Sequence, residues 1–99
     1  MMPIPESQPR RELSAVVPSL RVDVLGARAF KVSRAYFAKG VAAGRVSVAG
    51  KTAGRSTMLQ PGDRAVARGL GAFELLSVDG ETRAGNWHVS LAVEREPRP

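Results

Sequence analysis

"SRAYFAKGVAAGRVSVAGK", residues 33 to 51, carries two hydrophobic periods in succession. The first half repeats at helical spacing, with Phe37, Ala38, Val41 and Ala42 on one stripe and Tyr36 and Lys39 on the far side. Ser33 stands where its hydroxyl can accept a hydrogen bond from a free N–H of the first turn, and Gly44 stands where a left-handed residue stops a helix. Beyond Gly44 the period drops to two. Val46 and Val48 point one way and Arg45, Ser47 and Ala49 the other, until a turn at Gly50-Lys51.

The same reading extends in both directions. "RVDVLGARAF", residues 21 to 30, is a second helix: Val22, Leu25, Ala29 and Phe30 share one arc, with Arg21, Arg28 and Lys31 opposite. Gly26 within it costs about 1 kcal/mol relative to alanine. "ELSAVVPSL" makes a short strand that Pro18 ends at a sheet edge. Pro61-Gly62-Asp63 is a turn that feeds a strand at 64 to 68. "AFELLSVDG" and "NWHVSLAVE" form a hairpin in which Trp87, Val89, Leu91 and Val93 share a face, leaving His88 outward as a surface strand residue. The expected fold is therefore α+β, with two short helices packed on a small, mostly antiparallel sheet and a C-terminal β-hairpin extension. The expected organisation is a flexible tail or linker at 1 to 14, one domain at 15 to 95, and a flexible end at 96 to 99.

Composition limits the chemistry. A chain of 99 residues buries only about 60 to 65% of its unfolded surface, which leaves little room for an enclosed active site. The absence of cysteine excludes disulfides and thiolate metal sites. No run approaches the roughly 20 apolar residues of a membrane span, and "MMPIPESQPRRELS" lacks a signal peptide's apolar middle. The expectation is a soluble, cytoplasmic protein. No carboxylate pair, Ser-His-Asp order, P-loop or metal-ligand cluster suggests catalysis, so no enzyme activity, metal, cofactor or small-molecule substrate is expected.

The formal charge of +6 is unevenly spread. Residues 21 to 69 hold ten cations against two acids, Asp23 and Asp63, whereas residues 70 to 99 hold three arginines against five acids. Like charge concentrated in one half opposes compaction, and a face complementary to a polyanion is the functional reading. An ordinary solvated surface is the bland alternative. Neither helix has the long apolar face of a membrane-surface helix, and helix two offers only Tyr36 and Lys39 to read a DNA groove.

The pieces also occur in a familiar order. Arg21 and Asp23 open helix one, Ser33-Arg34 opens helix two, Gly44, Val46, Val48, Gly50 and Lys51 match a "G-x-V-x-V-x-G-K" strand and turn, and residues 61 to 63 form the "P-G-D" turn. Over residues 19 to 69 the chain resembles the S-four RNA-binding domain, the module named after a small-subunit ribosomal protein. The stretch "GLGAFELLSVDGETRAGNWHVSL" is similar to the tail of YlmH-like proteins, although Ala72 stands where a cation is common there. The resemblance implies an S4-type, αL-like RNA-binding fold that docks as a monomer on structured ribosomal RNA or tRNA, with association with the large ribosomal subunit. Carried onto this chain, it implies a ridge of Arg21, Arg28, Lys31, Ser33 and Arg34, flanked by Lys51 and Arg55. S-four modules also accompany catalytic domains, so the alternative is a protein-interaction or targeting domain of a larger RNA-modifying enzyme.

Overall fold

Eight elements follow one another along residues 10 to 96, the part of the chain that the computed structural model describes. They are β1 (Arg11–Val17), α1 (Val22–Phe30), α2 (Arg34–Ala42), β2 (Val46–Val48), β3 (Lys51–Thr52), β4 (Arg64–Ala67), β5 (Gly71–Glu81) and β6 (Trp87–Arg95). The strands form one six-stranded sheet in the order β1-β6-β5-β4-β2-β3, antiparallel at every pairing. The α+β class and the C-terminal hairpin are as the sequence predicts.

Local signals place both helices. Ser33 caps α2, its hydroxyl accepting from the Tyr36 N–H at 3.0 Å, and Gly44 takes the left-handed φ of 77° just past the helix end. Lys31 closes α1 with a φ of 57°, so the chain turns into α2 through a left-handed lysine. The two helices pack together over the sheet, and three rings join the layers. Phe30 of α1 and Phe37 of α2 stack with centroids 6.1 Å apart, and Phe73 of β5 meets Phe30 edge-on at 5.8 Å. All three rings are fully buried. Burying each contributes about 1.5–3 kcal/mol, and the ring geometry roughly 0.5–1.5 more per pair. Gly26 explains itself here. A Cβ at that position would overlap the Phe37 ring, so the glycine lets the helices close on one another.

Four details depart from the sequence reading. The strand read from Glu12 begins one residue earlier, so residues 11 to 14 of the expected tail pair with β6, from Arg11 opposite Val93 onward. Backbone hydrogen bonds set that boundary, whereas the side-chain alternation starts only at Leu13. The C-terminal boundary moves likewise, because Glu96 donates its N–H to Leu70 O at 2.9 Å and accepts from Gly69 N–H at 2.8 Å. Residues 1 to 9 and 97 to 99 of the two expected tails lie outside the described residues. In α2 the buried stripe narrows to Phe37 and Val41, with Ala38 half-buried and Ala42 exposed. Finally, the β2–β3 turn is Ala49-Gly50, at φ 52° and 84°, so Lys51 opens β3. Positive φ at both central residues gives the turn the twist of its strands.

Candidate functional site

Two cations are matched across the sheet or to its ends: Arg64 meets Glu94 at 2.8 Å and Arg10 meets Glu74 at 3.2 Å. Both acids of residues 21 to 69 are already engaged. Asp63 accepts from the Gln60 N–H, and Asp23 accepts from the Val24 N–H and from Arg34 Nε at 3.1 Å. Among the described residues, Arg21, Arg28, Lys31, Lys39, Arg45, Lys51, Arg55 and Arg68 form no ion pair.

The residues of the expected ridge divide into groups. Arg21, which precedes α1, Arg34 in the first turn of α2, and Arg55 in the loop after β3 line one cleft of about 220 Å³, with Asp23 and Ala38 also in its wall. Asp23 fixes the direction of Arg34 by holding Nε, which leaves the other guanidinium nitrogens for a second partner. Three arginines against one carboxylate leave this cleft with an excess of positive charge, and planar guanidinium forks have the geometry that suits phosphate.

The other expected residues are placed elsewhere. Arg28 sits in the last turn of α1 and donates to Val16 O at 2.9 Å, tying the helix to β1. Lys31 lies at the far end of α1 from Arg21, about 15 Å away at the helical rise. It lines a separate cleft with Arg11 and Arg95. Ser33 spends its hydroxyl on the helix cap. Lys51 is exposed on β3, the short edge strand.

A further group went unnoticed in the sequence. Lys39, Arg45 and Arg68 converge beside Tyr36, on the side of α2 opposite Arg34. The signal that would have found them is the β2–β4 register, in which Val46 faces Ala67 and so brings Arg45 next to Arg68. That register is not written in either strand alone. No helix among the described residues is long and apolar enough to cross a membrane. No family model and no curated protein sequence matches the chain.

Proposed function

We propose that the chain is an RNA-binding module that docks on structured RNA, ribosomal RNA or tRNA, through the basic surface around α2. The observation that carries this reading is the imbalance within residues 21 to 69: eight cations form no ion pair among the described residues, while the two acids of that stretch are already hydrogen-bonded. Arg21, Arg34 and Arg55 provide a phosphate seat at one flank of α2. An A-form helix has a major groove too narrow for side chains, so its phosphates, 2′-hydroxyls and shape are what a basic surface reads. The order of motifs that resembles the S-four domain favours the same reading, and with it a cytoplasmic place on or near the large ribosomal subunit.

Salt titration tests it. With about four phosphates neutralised, the log-log slope of RNA affinity against salt is close to −3, and affinity falls about sixtyfold from 50 to 200 mM salt. Fluorescence anisotropy with a labelled RNA hairpin measures this directly. A salt-independent affinity, or no binding at low salt, overturns the reading.

A further inference from the structure

Tyr36, Gly40 and Ala43 follow one another at helical spacing along the side of α2 turned away from Arg34. They form one wall of a cleft of about 370 Å³, and the ends of β2 and β4 with the Gly69-Leu70 turn form the other. That volume lies within the range of pockets that take small organic groups, about 300–1,000 Å³.

The lining is cationic and apolar together. Lys39, Arg45 and Arg68 contribute charge and no acid is among the lining residues, while the nearby Glu96 carboxylate accepts from the Gly69 N–H at the far wall. Arg45 and Arg68 are held side by side by the ladder, Arg68 N–H donating to Arg45 O at 3.0 Å. Like charges facing across a strand pair destabilise it, and a bound anion reverses that penalty. Tyr36 stands at the same cleft with 56% of its surface exposed. Gly40 adds a different kind of observation. A Cβ there would touch only Val46 Cγ2, at an ordinary 3.9 Å, so packing does not require glycine, a poor helix former, at this position. Its bare backbone keeps the cleft open.

We propose that this cleft seats one unpaired nucleotide of the bound RNA, with the base stacked on Tyr36 and the phosphate held by Lys39, Arg45 and Arg68. The inference rests on the RNA-binding reading and deepens it: α2 becomes a partition between a phosphate seat at Arg34 and a base seat at Tyr36. Unpaired bases offer a free π-face to aromatic side chains, and paired bases within a duplex do not. The preferred RNA therefore carries a bulge or single-stranded end beside its helix.

The experiment compares one RNA hairpin, blunt or with a short unpaired extension containing a fluorescent adenine analogue. Wild type binds the extended RNA about tenfold more tightly than the blunt one, and the analogue's emission falls as it stacks. Tyr36→Ala removes both the preference and the quenching, Tyr36→Phe keeps both, and Lys39→Ala weakens the extended RNA selectively. Arg34→Ala weakens the two RNAs alike and leaves the preference in place. Equal wild-type affinity for the two RNAs, or a preference that survives Tyr36→Ala, overturns the base seat while leaving RNA docking intact. Failure to bind either RNA overturns both.

Discussion

Gly26 lies against the ring of Phe37 so closely that any Cβ on it would overlap the ring carbons. Phe37 is buried and stacked on Phe30, so moving its ring disturbs that stack. Gly26→Ala must push α1 from α2. Overpacking of this severity costs about 3 kcal/mol, offset by about 1 kcal/mol of better helix propensity. The net, about 2 kcal/mol, lowers the melting temperature by roughly 10 °C. Adding Phe37→Leu, which vacates ring volume, recovers part of the coupling in a double-mutant cycle. An unchanged melting temperature for Gly26→Ala contradicts the contact.

The Ala49-Gly50 turn offers the opposite opportunity. Ala49 holds a φ of 52°, which asparagine adopts at less cost, and Asn-Gly is the preferred pair for a two-residue hairpin turn. Ala49→Asn stabilises by about 0.5–1 kcal/mol and raises the melting temperature by roughly 4 °C. Calorimetry decides the matter, and a lower melting temperature would exclude the primed turn.

Arg34 and Lys51 separate binding from folding. The Arg34–Asp23 pair leaves the arginine side chain 53% exposed, so it contributes only about 0–1 kcal/mol to stability. Replacing both cations with alanine lowers the melting temperature by a few degrees at most, but RNA affinity falls roughly a hundredfold through two lost charge-assisted contacts. The suitable control is Arg83→Ala, in the β5–β6 turn. Arg95 is unsuitable because it donates to Phe30 O. Wild-type affinity in the double variant would remove Arg34 and Lys51 from the interface.

Asp79 is the extra residue of a bulge in β5, between the Val78–Val89 and Gly80–His88 pairs. Its carboxylate accepts from Ser77 Oγ at 2.7 Å and from Ser90 Oγ at 2.9 Å, two residues that face each other across the strands. The Ser77 bond, then the Ser90 bond, hold its pKa below the usual 3.8, with His88 assisting and burial opposing. A lowered folded-state pKa stabilises the protein above the unfolded value, and that contribution disappears as pH falls through the folded one. Asp79→Asn is therefore less stable than wild type at neutral pH, and the gap narrows below pH 3.8. Denaturant melts across that range check the sign; a gap that stays constant refutes the assignment.

Both helices were legible because their signals are local: Ser33 and Gly44 bracket α2, and Val22, Leu25, Ala29 and Phe30 mark the buried arc of α1. Arg11 gave no such signal, since its place in β1 depends on backbone bonds to a strand far along the chain. The candidate site divides in the same way. Arg34 could be placed at a helix start, but its hold on Asp23 depends on how two helices cross, and the meeting of Arg45 with Arg68 depends on strand register. Helical spacing put Tyr36 on the outer side of α2, and the neighbouring strands turned that side into a cleft wall.

Strand β1 pairs with β6 alone, so the first of the described strands is completed by the last. During synthesis Leu13, Ala15 and Val17 emerge long before Val89, Leu91 and Val93 exist to receive them. Such distant closure slows folding. Until it occurs, β6 presents an open edge of the kind that recruits strands from other molecules. A second nascent copy carries a matching β1, and the register that fits within one chain fits equally between two. Crowding on adjacent ribosomes is thus the condition that would favour exchange of β1 between two molecules.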